Sequence, residues 1–150
     1  MVTVRPAEAA DAATWLKMRC ALWPEGPEAE HRDEIDRYFR GRLLREPWTV
    51  LVAEGRDGRL LGFTELSIRP YAEGCRTHRV AYLEGWYVCP EARRHGVGKA
   101  LVAASEEWGR SQGCTEFASD TQPDNETSSS AHRALGFTDL GLVRCFMKRL

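Results

Sequence analysis

The stretch from Val80 to Trp108, VAYLEGWYVCPEARRHGVGKALVAASEEW, leaves the chain few choices. Val80, Ala81, Tyr82, Leu83, Trp86, Tyr87 and Val88 form a nearly continuous apolar run, the pattern of a strand covered on both faces. Pro90 has no N–H to give a ladder, so the strand stops near Cys89. From Val97 onward, Val97, Leu101, Ala104 and Trp108 fall at helical spacing. Between strand and helix lies Arg93-Arg94-His95-Gly96-Val97-Gly98-Lys99. Its glycines permit a tight turn and a close backbone approach to a ligand. A helix start brings unsatisfied N–H groups and the positive end of a dipole, so the loop suits an anion such as a pyrophosphate. Arg93, Arg94 and Lys99 add charge around it. Taken alone, the same residues would serve equally as an ordinary loop-to-helix connection. No Gly-Lys-Ser/Thr follows four variable residues, and the third glycine of a dinucleotide fingerprint is absent.

Shorter elements flank this unit. Val2 to Arg5 reads as a strand ended by Pro6, and residues 8 to 22 as a helix carrying Ala12, Trp15, Leu16, Arg19 and Leu22. Trp23-Pro24-Glu25-Gly26-Pro27 is a loop, with Trp23 either a core anchor or a ring offered to a ligand. Glu28 to Arg45 reads as a second helix, with Ile35, Tyr38, Phe39, Leu43 and Leu44 as its apolar side. Trp48 to Glu54 and Leu60 to Ile68 form a hairpin across Arg56-Asp57-Gly58, followed by a loop over Arg69 to Gly74. After the central helix come a stop at Gln112-Gly113, a strand over Thr115 to Ser119 and a turn from Asp120 to Asn125. A short helix over Thr127 to Leu135 ends at Gly136, and Phe137 and Leu142 to Met147 are expected to supply the final strands. The order β-α-α-β-β-β-α-β-α-β predicts an α+β, or mixed α/β, layer arrangement around one sheet. The 150 residues read as a single domain, 1–150, large enough to bury roughly 70% of the surface its unfolded chain exposes.

Composition narrows the function. With 43% hydrophobic and 29% charged residues the chain reads as soluble and globular, and its net charge of −1 argues against a strongly basic nucleic-acid binder. No apolar run approaches the ~20 residues of a membrane helix. The opening Met-Val-Thr-Val-Arg-Pro lacks a signal-peptide core, so a cytoplasmic location is expected. Cys20, Cys75, Cys89, Cys114 and Cys145 form no CxxC pair, and His31, His78, His95 and His132 show no zinc spacing, so no metal is expected.

Arg93-x-x-Gly96-x-Gly98 resembles the acyl-CoA pyrophosphate loop of the GCN5-related N-acetyltransferases, and the order of elements resembles that fold along essentially the whole chain. The resemblance implies acetyl-CoA as cosubstrate. Backbone N–H groups of Arg94, His95, Gly96, Val97, Gly98 and Lys99 would hold its pyrophosphate, and Trp86, Tyr87 and Val88 would pair with its pantetheine arm. It also implies that the central strand and the one starting near Thr115 splay apart to make a cleft. A second signature is Asn125-x-x-Ser128-x-x-x-His132-x-x-x-Gly136-Phe137. By the likeness, Asn125 hydrogen-bonds the pantetheine. His132 stands where many relatives carry the tyrosine that protonates the departing thiolate. An imidazole with a pKa near 6.5 can do the same, or can simply pack or touch CoA.

Leu22-Trp23-Pro24, Leu83-Glu84-Gly85-x-x-Val88-x-Pro90, Ala118-Ser119-Asp120-Thr121-x-Pro123-x-Asn125 and the terminal Lys148-Arg149 are similar to a narrower family, the aminoglycoside 6′-N-acetyltransferases. That likeness implies an acceptor site lined by Trp23, Tyr71, Glu84 and Asp120, antibiotic resistance as the outcome, and a homodimer. Where the subgroup tends to carry an acidic residue after Gly136-Phe137, this chain has Gly141, with Asp139 nearby. A polycationic acceptor would be drawn by Glu84, Asp120, Glu73 and Asp124 if they cluster. Glu84 interrupts an apolar strand, where a carboxylate is expensive unless it is functional or is satisfied by an arginine or backbone donors. Acyl transfer needs a neutral amine, a donor to the developing oxyanion and a route for the amine proton. Glu84 is the first expected base and Asp120 the second, with the Val88 N–H as oxyanion donor by the family likeness. Cys89 offers a less favoured acyl-enzyme route. Two other functions keep the CoA half: acetylation of another amine, such as a polyamine or a protein N-terminus, and acyl-CoA sensing without turnover.

Overall fold

Strand alternation and turn chemistry build one sheet. The computed structural model describes residues 1–41 and 48–150. Five strands, β1 (Thr3–Pro6), β2 (Trp48–Glu54), β3 (Leu60–Arg69), β4 (Val80–Val88) and β5 (Phe117–Ser119), lie side by side in sequence order. The first four are antiparallel, and β5 joins β4 in parallel. The helices are α1 (Ala12–Leu22), α2 (Glu28–Phe39), α3 (Val97–Ser111) and α4 (Glu126–Ala134). Leu43, Leu44 and Arg45, expected to continue the second helix, lie outside the described residues. The chain forms two compact units, Met1–Ser119 and Asp120–Leu150. The sheet and α1–α3 belong to the first, and α4 to the second.

Register sorts the β3 and β4 side chains onto two faces. Phe63, Glu65, Ser67 and Arg69 share one face of β3, and their partners Tyr87, Gly85, Tyr82 and Val80 share the same face of β4. There Phe63 joins Trp15, Met18, Ile35, Val50 and Val52 in the core covered by α1 and α2. Trp15 meets Tyr38 and Phe39 edge-on at centroid distances of 5.3 and 5.9 Å. The opposite face packs on α3: Ala53, Val97 and Leu101 cluster with Trp86 and Val88, and Thr64 Oγ1 lies 3.0 Å from Ser105 Oγ.

One β4 residue is extra. Glu65 pairs with Gly85 and the next residue, Leu66, pairs with Leu83, so Glu84 bulges from the ladder. Strict alternation would put Trp86 on the face of Tyr82. The bulge sends Trp86 to the α3 face instead and adds Glu84 to the face that carries Tyr82 and Gly85.

A charged cluster lies inside the α1–α2 face. Arg19 is 4% and Glu65 2% exposed. Arg19 Nε lies 2.7 Å from Glu65 Oε1, and Arg19 Nη2 donates to Glu34 Oε2 at 2.6 Å and to Glu65 Oε2 at 3.4 Å. Trp15 Nε1 donates to Glu65 Oε1 at 3.1 Å. One guanidinium thus faces two carboxylates, and only Glu34 reaches solvent. Burial pushes the Glu65 carboxyl up to about 7 despite the lowering pull of Arg19 and Trp15, and Glu34 adds to the rise.

Two expectations change at the C-terminal side. The fifth strand begins at Phe117, not Thr115, because the Glu116 carboxylate turns to accept from the N–H groups of Arg76 and Thr77. The final strands expected at Phe137 and over Leu142–Met147 do not form. A strand needs a neighbouring ladder, and residues 137–150 belong to none, whatever their residue pattern favours. Leu140, Leu142, Val143, Met147 and Leu150 are exposed, as is Phe146 at 88%. Among the described residues no helix is long and apolar enough to cross a membrane.

The Glu65 environment sets a pH dependence. An acid whose folded pKa exceeds its unfolded value holds its proton more tightly when folded. Its stabilising contribution is full below the ordinary 4.5 and is lost as pH rises through about 7. Urea midpoints between pH 5 and pH 8 should fall more steeply for the wild type than for Glu65→Gln. Parallel curves would refute the assignment.

Candidate active site

The strand expected to carry the chemistry runs past its neighbour. β5 pairs with β4 only at Ala81, Tyr82 and Leu83, whereas β4 continues to Val88. The Cys89 N–H donates to Leu61 O at 2.8 Å on the β3 side, so the N–H and C=O of Val88, and those of Trp86, point to the other side. That is the side on which β5 has already ended.

The chain then enters the basic loop. Pro90–Ala92 forms one 3₁₀ turn, Arg94 takes φ 64° and Gly96 takes φ 82°. The left-handed Arg94 backbone costs about 1–3 kcal/mol and folds the loop into a concave run of N–H groups. α3 opens on Gly96 with no side-chain cap and no acidic residue in its first turn. The N–H groups of Val97, Gly98 and Lys99 therefore begin the helix without intrahelical acceptors. Arg94, His95 and Lys99 are exposed beside them. Gly98 lies close to the Trp86 ring, where a Cβ would sit 3.1 Å from Cζ2. Arg93 Nε donates back to Val88 O at 2.9 Å, with its guanidinium carbon 5.8 Å from the Tyr87 ring, and His95 Nδ1 donates to Arg93 O at 2.7 Å. Arg93 and His95 thus hold the loop's shape.

A second group forms at the bulge. The Glu84 carboxylate accepts from Arg69 Nε at 2.8 Å, Arg69 Nη2 at 2.6 Å and Ser67 Oγ at 2.5 Å. Arg69 also lies over Tyr82, 3.5 Å from its ring centroid. The arginine partner that a carboxylate in an apolar strand requires is therefore Arg69. Sequence reasoning missed it and Ser67. Their spacing of two on β3 is visible in the chain, but their apposition to Glu84 depends on the bulge. The Trp23 ring lies against Gly85, the residue after Glu84, so closely that a Cβ there would meet Cη2 at 2.7 Å. Tyr71 is exposed in the β3–β4 loop, where the neighbouring Glu73 carboxylate raises its hydroxyl pKa.

Asp120, Asn125 and His132 belong to the unit Asp120–Leu150. Asn125 caps α4, its Oδ1 accepting from the Ser128 N–H at 3.1 Å. His132 Nδ1 donates to Ser128 O at 2.7 Å, which fixes that proton on Nδ1, and its ring meets Phe137 edge-on at 5.1 Å. Asp120 is exposed just after β5. Cys89 is a poor nucleophile, because burial and then Glu91 push its thiol pKa up. A groove of about 590 Å³ is lined by Lys17, Met18, Arg59, Tyr87 and Cys89 but includes neither Trp23 nor Glu84 nor the loop from Arg93 to Lys99.

The β4 edge beyond the end of β5, leading into a run of backbone N–H groups at a helix start, suits an acyltransferase whose donor carries phosphates. The profile of the Acetyltransferase (GNAT) family matches residues 15–137, and the chain belongs to that family. It is 59% identical over 147 residues to an aminoglycoside N(6′)-acetyltransferase type 1 from Klebsiella aerogenes, covering 98% of this chain and 96% of that one. It is 41% identical to the enzyme of the same name from Serratia marcescens, with 91% of each covered. Its fold is similar to the solved structure of AAC(6′)-Iy in complex with the bisubstrate analog CoA-S-monomethyl-acetylneamine, at a TM-score of 0.90 and 34% identity, covering 100% of this chain and 99% of that one.

The Trp23–Gly85 contact leaves no room for a methyl group. Gly85→Ala should lower unfolding stability by about 1–3 kcal/mol and shift tryptophan emission as the ring moves. A variant with wild-type urea midpoint and spectrum would show that Trp23 does not rest on β4.

Proposed function

We propose that this chain transfers the acetyl group of acetyl-CoA to the 6′-amine of aminoglycoside antibiotics, and that residues 1–150 act as one catalytic domain. The carrying observation is the β4 edge over Trp86–Val88 running into the uncapped start of α3. The loop's donors suit a pyrophosphate: consecutive N–H groups from Arg94 to Lys99, two left-handed residues, and exposed Arg94 and Lys99. Acetyl-CoA, when bound, supplies an acetyl group activated as a thioester. The Trp86 and Val88 backbone pairs with its pantetheine arm, and the Val88 N–H donates to the acyl oxygen. Acceptor specificity is supported by likeness to the Klebsiella aerogenes enzyme along nearly the whole chain.

Trp23, Tyr71, Glu84 and Asp120 form the acceptor wall in this reading. Both Glu84 oxygens already accept hydrogen bonds from Arg69 or Ser67, which makes Glu84 a fixed negative charge better suited to orienting an ammonium group than to taking up a proton. We assign proton removal to Asp120, directly or through water. Asn125 contacts the pantetheine through its amide. His132, with Nδ1 held by Ser128, returns a proton to the departing thiolate when it is protonated. Acetylation erases the charge of the amine, which is how the enzyme would confer resistance. The five free thiols suit a cytoplasmic setting.

CoA release should occur with aminoglycosides bearing a 6′-amine and not with matched 6′-hydroxyl compounds. Glu84→Gln should raise the acceptor KM and lower kcat/KM about 100-fold while keeping the shape of the pH profile. Asp120→Asn should instead remove the ascending limb of kcat against pH. Tight acetyl-CoA binding without turnover on any amine would support a sensor, and turnover confined to polyamines or peptides would move the acceptor.

The homodimer is proposed to bury the apolar C-terminal segment, whose Leu142, Val143, Phe146 and Met147 are exposed on a single chain. Sedimentation should give twice the chain mass for the wild type and the monomer mass for Phe146→Asp. A monomeric wild type would overturn this.

A further inference from the structure

The charged cluster beneath Trp23 has no role in the chemistry above, yet it touches the acceptor wall. The Arg19 guanidinium carbon lies 5.1 Å from the Trp23 ring centroid and 6.0 Å from that of Trp15. It is gripped from behind by Glu34 at 2.6 Å and by Glu65 at 2.7 Å, and its Nη1 donates to His31 O at 3.5 Å. His31 completes the enclosure. Its ring stacks on Trp23 at 6.3 Å and 16°, and its Nε2 donates to Trp23 O at 3.1 Å. The Trp23 ring also lies against Gly85, the residue after Glu84. A tryptophan at the head of a loop containing Pro24, Gly26 and Pro27 is thereby met by groups on α1, α2 and β4, with Glu65 of β3 holding Arg19.

We propose that Arg19 is a positioning residue for acceptor specificity: held between Glu34 and Glu65, it fixes the Trp23 ring against Gly85 and so sets the wall beside Glu84. This rests on the reading of Trp23 as an acceptor contact. A planar guanidinium stacks on the ring while its edge meets both carboxylates, which a lysine ammonium cannot do. Simple loss of Arg19 would strand the Glu65 charge, so a fair test removes both charges together.

The experiment measures steady-state kinetics for Arg19→Lys, for the pair Arg19→Met/Glu65→Gln, for Trp23→Ala and for the triple variant, using acetyl-CoA and one 6′-amine aminoglycoside. Arg19→Lys and the paired variant should each raise the acceptor KM about ten-fold, with acetyl-CoA KM within two-fold of wild type. Trp23→Ala in the paired background should add less than it does in the wild type, because both changes act on one wall. Unchanged acceptor KM in Arg19→Lys, equal shifts in both substrates' KM, or fully additive effects would overturn the proposal. If the paired variant does not fold, Arg19→Lys and its combination with Trp23→Ala decide alone. An unchanged acceptor KM in Trp23→Ala, with a raised KM in Arg19→Lys, would instead remove Trp23 from the acceptor site and with it the route by which Arg19 acts.

Discussion

The placement of Glu84 and Gly85 depends on one extra residue in β4. A strand that alternates without interruption offers either Tyr82, Glu84 and Trp86 or Leu83, Gly85 and Tyr87 to a given face. The bulge at Glu84 breaks that choice. It keeps Tyr82, Glu84 and Gly85 on the α1–α2 face and sends Trp86 to α3, where it packs on Gly98 behind the basic loop. A carboxylate, a bare patch of backbone for Trp23 and an aromatic support for the loop thus occupy three consecutive residues. Bulges re-aim side chains where pairing is about to end, and β5 ends its pairing one residue earlier, at Leu83.

The cost of the arrangement appears beneath it. Two carboxylates share one buried guanidinium, and buried ion pairs are often no more stabilising than well-packed apolar residues of similar volume. Apolar packing, however, would lack the cation that faces the Trp23 ring. The Arg19 guanidinium is held by Glu34 and Glu65 together, with its carbon 5.1 Å from the centre of the Trp23 ring. The raised Glu65 carboxyl is the electrostatic residue of that choice. Directional interactions thus surround the ring that we assign to the acceptor wall.

Local chemistry made much of the fold legible. Pro90 ended β4, Asp57-Gly58 turned the hairpin, and the spacing of Val97, Leu101 and Trp108 announced α3. The loop proposed to hold the donor was equally visible, because its residues are contiguous in sequence. The acceptor half was not. Glu84 could be picked out as anomalous in an apolar strand, but Arg69 and Ser67 reach it through register, and register slips leave no local trace. Arg19 read as one polar residue on a helix, since a buried ion pair with a residue 46 positions away has no periodicity. The strand expected over Leu142–Met147 failed for the opposite reason. Its residues favour extension, but extension without a neighbouring ladder satisfies no backbone group.

The donor half also divides labour in a way its charges alone do not suggest. Three basic residues in a loop invite the reading that all three meet phosphate. Arg93 instead binds back to the Val88 carbonyl, while the Cys89 N–H in the same peptide donates to Leu61. That peptide plane is therefore pinned from both edges, and the preceding Val88 N–H, which we assign to the acyl oxygen, inherits a fixed direction. A donor held in place before the substrate arrives needs no reorganisation as charge develops on the oxygen, and this is where such hydrogen bonds contribute most. We therefore assign Arg93 to immobilising the strand end, and the phosphates to the backbone of the loop and to Arg94 and Lys99.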